Sequence, residues 1–168
     1  NSLTVFENLC ISQHYHLGYG LLGTILQSRR YRLSEQQVRK TAEELLEILD
    51  LRHYAEEYPK NLPYGLQRRV EIGRALSIRP QLILLDEPAA GMNPGEVDQL
   101  IELVRWIRDE FKVTIWLIEH HMRVVMNVCE WIKVLDFGET IAEGPPAVVR
   151  QNPRVVQAYL GDEEPTYA

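Results

Sequence analysis

Two acidic residues at the end of an apolar run are the first candidates for chemistry. In QLILLDE (81–87), Asp86 and Glu87 close a stretch whose length and composition predict a buried parallel strand. Open α/β sheets bind their ligands beyond the carboxyl ends of such strands. An Asp in that place can hold Mg²⁺, directly or through water, and an adjacent Glu can orient an attacking water beside a phosphate. Read alone, the same two acids can equally end a strand and cap the segment that follows.

A second run of this kind, TIWLIE (114–119), ends in Glu119-His120-His121. If the two strands are neighbours, His120 and Asp86 emerge on one edge of the sheet. A histidine there can hydrogen-bond a terminal phosphate and sense its loss; by itself it is also an ordinary strand-end histidine satisfied by backbone or solvent. Glu119, His120 and His121 make a poor metal site, because adjacent residues on a strand point opposite ways. The third segment is LPYGLQRRVEIGRAL (62–76), a Gly-containing turn running into an amphipathic helix with Val70, Ile72, Ala75 and Leu76 apolar. Free N–H groups at a helix start, with the helix dipole behind them, hold anions. Without further context it is a helix with a Pro-Gly entrance and a solvated Arg68/Arg69 face.

These residues need a frame. Residues 4–16 have partial apolar spacing at Val5, Leu9 and Ile11 and predict one short helix. LGYGLLGTILQSRRYR, with three glycines and the basic cluster Arg29, Arg30 and Arg32, reads as a loop. Ser34 followed by Gln37 resembles a capping box opening a helix to about Asp50, with Val38, Ala42, Leu45, Leu46 and Leu49 on one face. A helix from Pro63–Gly65 ends before Pro80. The second half alternates: strand 81–87, helix 95–110, strand 114–119, a helix around 121–129, then two short strands in WIKVLDFGETIAEG joined by a turn at Asp136–Gly138. Pro145 and Pro146 open a last helix, and the acidic tail 162–168 reads as frayed. The expected fold is therefore α/β, with a helical portion over 1–80 followed by a sheet with flanking helices over 81–161.

Composition narrows the class. With 45% apolar and 25% charged residues the 168-residue chain is ordinary globular material. A net charge of −6 argues against a general nucleic-acid binder. Cys10 and Cys129 form neither a metal spacing nor a disulfide framework, which suits a reducing compartment. No run of about 18 apolar residues spans a membrane, and the first residues have no signal-peptide pattern.

Taken together, the three segments have the order and spacing of an ABC ATPase, a P-loop NTPase. Residues 62–69 resemble that family's signature motif, 82–87 its Walker B motif, 90–93 (AGMN) its D-loop, and His120 its switch histidine. More closely, LTVFEN, YGLQRRVEIGRAL, DEPAAGMNP, IEHHM, IAEGPP and NPRVVQAYLG are similar to the ATPase subunits of branched-chain amino-acid importers. The resemblance implies ATP and Mg²⁺ as ligands, with Asp86 associated with the metal, Glu87 as general base and His120 at the γ-phosphate. Tyr64, Gly65 and Gln67 would face the nucleotide of a second ATPase subunit. It further implies transmembrane permease subunits as partners, contacted by the helical portion, and a peripheral location on the cytoplasmic face of the inner membrane. Two other readings share these motifs: a non-transport ABC ATPase, and an interaction module that does not hydrolyse ATP.

The sequence departs from the family pattern in places. It contains no GxxxxGK[ST] loop, since none of its four lysines follows a glycine. That loop supplies much of the grip on phosphate, so the chain reads as the C-terminal part of a subunit, inactive alone. The signature serine position holds Pro63, which has neither hydroxyl nor N–H, and the following glutamine position holds Leu66. The acid usual after the switch histidine is replaced by His121. In the family fold the strand leading into the phosphate loop lies between strands 114–119 and 131–136. Without it, unpaired strand edges are expected to drive rearrangement or self-association.

Overall fold

The computed structural model describes residues 2–16 and 25–160. The tail 162–168 and most of the Gly-rich stretch lie outside the described residues. Helix α1, Val5–Ser12, continues into a 3₁₀ turn at Gln13–His16, so the single helix expected over 4–16 is divided. Thr4 and Glu7 close a capping box at its start, and the next two donors are also used: Val5 N–H bonds Glu57 O at 2.8 Å and Phe6 N–H bonds Ala55 O at 2.9 Å. Val5 and Leu9 are fully buried, whereas Ile11 is 49% exposed and leaves the core face expected for it.

Helix α2 is Arg29–Ile48. It begins earlier than the sequence suggested, because Ser28 accepts the N–H of Tyr31 and makes the N-cap. Arg29, Arg30 and Arg32 are thus the first turn of a helix and not a loop, and Ser34 and Gln37 lie inside it. Val38, Ala42, Leu45 and Leu46 face the core as expected, with Leu49 following at the C-cap. Helix α3, Tyr64–Leu76, starts directly after Pro63. α1 packs against both α2 and α3, and Gln13, nearly buried, donates to the carbonyls of Leu9 and Val38, both at 3.0 Å.

Strand β1, Leu82–Asp86, pairs in parallel with β2, Thr114–Ile118, in the register Leu82↔Thr114 through Asp86↔Ile118. Between them runs α4, Pro94–Phe111, opened by an Asn93–Glu96 capping box and burying Val97, Leu100, Ile101, Val104 and Ile107. The short helix α5, Met122–Val128, follows β2. Strands β3, Ile132–Asp136, and β4, Glu139–Gly144, form an antiparallel hairpin. Its two-residue turn has Phe137 at φ 45° and Gly138 at φ 84°, the positive pair that a tight hairpin of this twist requires. The single last helix expected after Pro145 is two, α6 (Pro146–Arg150) and α7 (Pro153–Leu160).

Two expectations for the sheet are corrected. Among the described residues the strands form two separate two-stranded sheets, one parallel and one antiparallel, in place of one mostly parallel sheet. β2 and β3 do not pair with each other. Nor are the runs 81–87 and 114–119 buried on both faces. Ile83, Leu85, Ile115 and Leu117 turn toward the core of α1, α3 and α4, while their neighbours Leu84 and Trp116 are 70% and 63% exposed. Alternation with period two produces this division wherever only one face of a strand is covered. A second, smaller core gathers Val125, Ile132, Val134, Ile141, Val149 and Val155 around the hairpin and the last helices.

Gly73 on α3 marks a close approach in the main core, where an added Cβ would lie 2.6 Å from Leu49 Cδ1 and 2.8 Å from Leu9 Cδ2. Both leucines are fully buried and have little room to yield. Alanine is worth up to about 1 kcal/mol over glycine in a helix interior, and overpacking costs about 1–3 kcal/mol. We therefore expect Gly73→Ala to destabilise the fold by about 1–2 kcal/mol in urea unfolding; a gain in stability would show that the α1–α3 contact is looser than described.

Candidate functional site

The site begins with the register of β1 and β2. Because Asp86 lies opposite Ile118, the two chains leave the sheet side by side, and Glu87 N–H donates to Ile118 O at 2.9 Å, extending the ladder one residue. Glu87 then takes a left-handed backbone conformation, φ 44°. A non-glycine residue there stores on the order of 1–3 kcal/mol and is characteristic of functional positions. The His120 Nδ1 lies 3.4 Å from Glu87 Oε1, with both side chains more than half exposed. Asp86 is exposed at the strand end beside them. The structure thus brings Asp86, Glu87 and His120 to one edge, as the two strand-end motifs predicted.

The turns behind this edge are held by Glu119. Its side chain has no exposure, and its carboxylate accepts three backbone N–H bonds: from Ala89 at 2.8 Å, and from His120 and His121 at 3.0 Å each. Sequence reasoning had considered Glu119 only as a weak metal ligand. The available signal was a carboxylate immediately before two backbone donors at a strand end, where no ladder partner remains for them. Among the described residues no group of three or more His, Cys, Asp or Glu side chains is placed to hold a metal. His121 is the N-cap residue of α5 without a side-chain cap bond, and its carbonyl accepts from Val124 and Val125.

Tyr64, Gly65 and Gln67 form a second group at the start of α3. No side chain caps this helix. Pro63 O accepts the N–H groups of Leu66 and Gln67, leaving the first-turn donors of Tyr64 and Gly65 for an outside acceptor. The Gln67 amide donates to Leu62 O at 2.8 Å and so braces the turn from within. The Tyr64 hydroxyl accepts from Arg68, whose guanidinium also lies 4.9 Å from the Tyr64 ring centre and 2.5 Å from Glu71. A Cβ on Gly65 would stand 3.3 Å from Glu96 Oε1 and one on Gly91 would stand 3.9 Å from Tyr64, so the α3 start is seated on the 88–93 turn and the head of α4. The small cavity between α3 and α4, about 80 Å³, is lined by Gly65, Arg68, Met92 and Glu96 and is far below the size of a nucleotide pocket.

Asp86 offers one exposed, hard carboxylate, the kind of ligand that Mg²⁺ takes when phosphate and water oxygens supply the rest. Burial pushes the thiols of Cys10 and Cys129 up from their usual range, which disfavours the thiolate form.

Comparison with known proteins agrees with this geometry. A family model described as ABC transporter matches residues 1–90, and one described as branched-chain amino acid ATP-binding cassette transporter matches residues 139–165. The chain is 41% identical over 160 residues to the high-affinity branched-chain amino acid transport ATP-binding protein BraF of Pseudomonas aeruginosa, covering 95% of this chain and 63% of that protein. It is similar to the ADP conformation of MJ1267, an ATP-binding cassette of an ABC transporter, with TM-score 0.75 and 32% identity over 95% of this chain and 63% of that one. The dimeric post-hydrolysis structure of the cassette MJ0796, bound to ADP and Pi, superposes with TM-score 0.66 and 26% identity over 86% of this chain and 57% of that one. The chain spans about 63% of the length of the curated relatives it matches. With strand-end acids, facing histidine and uncapped helix start in the family's order, and the family model covering more than half its length, the chain belongs to the ABC transporter ATP-binding family.

Proposed function

We propose that this chain carries the signature and hydrolysis elements of the ATP-binding subunit of a branched-chain amino-acid importer. The observation that carries the reading is the approach of His120 to Glu87, 3.4 Å, beside Asp86 at the open end of a parallel strand pair. In hydrolysis, Glu87 orients a water for in-line attack on the γ-phosphorus and takes its proton, while the bond to the bridging oxygen of the leaving diphosphate breaks. His120, with Nδ1 toward Glu87, presents its other ring nitrogen to a γ-phosphate oxygen and stabilises developing charge there. Asp86 would hold Mg²⁺, which neutralises phosphate charge when bound. The uncapped donors of Tyr64 and Gly65 suit the γ-phosphate of a nucleotide bound to a second subunit, with Gln67 keeping the turn in shape.

Partners follow from this reading. No helix among the described residues is long and apolar enough to cross a membrane. Transmembrane permease subunits supply the membrane location, on the cytoplasmic face, and the helical portion 1–80 is the surface that contacts them, with 81–161 carrying the hydrolytic edge. The match of residues 139–165 to the branched-chain amino-acid family model supports the substrate class.

Two measurements follow. In cells lacking their own branched-chain importer ATPase, a subunit carrying residues 1–168 joined to a phosphate loop restores uptake of radiolabelled leucine, and Glu87→Gln lowers that uptake at least tenfold. Restoration that survives Glu87→Gln would contradict the role of Glu87. The 168-residue chain by itself exposes Leu84 and Trp116 on one sheet face, an apolar surface that favours self-association. Sedimentation velocity at tens of micromolar should show dimers or larger species that Trp116→Glu disperses; a monomer at every concentration would contradict the expectation.

A further inference from the structure

The residue least explained by the hydrolytic reading is Glu119. A carboxylate withdrawn from water costs several kcal/mol unless its oxygens are fully engaged. Here its hydrogen bonds come from the backbone, and the His120 Nδ1 stands a further 3.9 Å from Oε2. Oε2 accepts the N–H groups of His120 and His121, both at 3.0 Å, and Oε1 accepts that of Ala89 at 2.8 Å. The first two bonds close the turn that leaves β2. The third comes from the other strand's exit, two residues beyond Glu87. Ala89 is only 4% exposed, so water has little access to replace the bond.

This one carboxylate therefore fixes both members of the catalytic pair from behind. Glu87 and His120 themselves are 54% and 67% exposed at the side chain, too open for packing to set their separation. Their nearest common anchor beyond the Glu87–Ile118 backbone bond is Glu119. We propose that Glu119 is a positioning residue for ATP hydrolysis, locking the 88–93 turn and the His120 turn into one unit so that they move together. Because that same turn seats Tyr64 through Gly91, a displacement at the α3 start reaches His120 through this carboxylate. The inference rests on the hydrolytic reading of Glu87 and His120 given above.

Glutamine is the informative replacement. It keeps the shape but offers one oxygen, so its NH₂ must face either the Ala89 donor or the two histidine donors. Keeping two bonds favours leaving the oxygen on the two histidine donors and the NH₂ against the Ala89 N–H, which loses its acceptor. In Glu119→Gln we expect hydrogen exchange of the Ala89 amide in the 168-residue chain to rise at least tenfold, with β1 amides unchanged; unchanged protection at Ala89 overturns the tie. In a subunit completed with a phosphate loop, we expect kcat for ATP to fall at least tenfold with KM within about twofold. Placed on His120→Ala, the same substitution should add clearly less than its effect on the unsubstituted subunit, because only the Glu87 turn is left for it to position. An unchanged kcat, or full additivity with His120→Ala, overturns the proposal. Should Glu119→Gln not fold, Glu119→Asp keeps the charge and draws the carboxylate back by one methylene, and the same exchange and kinetic changes are required of it. If the unsubstituted subunit does not hydrolyse ATP while Ala89 behaves as expected, the tie stands and the hydrolytic reading is what fails, taking the catalytic part of the proposal with it.

Discussion

Everything proposed for this chain depends on the parallel pairing of β1 with β2 in one register. A shift by a single residue would turn Ile83 and Leu85 outward and Leu82 and Leu84 into the core, so the apolar pattern opposes it. The register in turn decides which residues leave the sheet together. With Asp86 opposite Ile118, the acidic pair and His120 emerge at one edge, although far apart in sequence. The crossover that permits parallel pairing is α4, whose capping box and five buried aliphatic residues lay it against the strand faces that point inward.

At that edge local order is achieved by polar groups and not by packing. The left-handed backbone at Glu87 is tolerated because the ladder continues through Glu87 N–H to Ile118 O on one side and Ala90 N–H bonds Glu87 O at 3.1 Å on the other. Such fixed turns leave the carboxylate and imidazole exposed to whatever occupies the edge while limiting how far their backbones can stray. The start of α3 is built on the opposite principle. Its donors are left without caps, and its seat against Gly91 and Glu96 is what keeps it in place.

How much of this was legible in the sequence differs by element. The strand-end acids, His120 and the α3 entrance were readable because each sits where an apolar period stops, and their joint order identified the family. The helix over 29–48 was misread at its start: Ser28 is a sufficient cap, and the basic run after it is as good a first turn as any loop once α2 packs on α1. The exposure of Leu84 and Trp116 could not be read from apolar runs, since a run specifies two apolar faces and not what covers them. Glu119 was hidden for a different reason. Its partners are backbone amides, one of them 30 residues away at Ala89, and backbone donors leave no trace in residue types.

The central claim is most directly tested by the hydrogen bond that carries the β1–β2 pairing into the site. In a deuterated, ¹⁵N- and ¹³C-labelled chain, a trans-hydrogen-bond scalar coupling should connect the Glu87 amide nitrogen with the Ile118 carbonyl carbon, as their 2.9 Å separation requires. Observing it would establish that Glu87 and His120 leave the sheet as neighbours. A Glu87 amide that exchanges freely with solvent, or couples to a different carbonyl, would contradict the register and with it the assembly of the site.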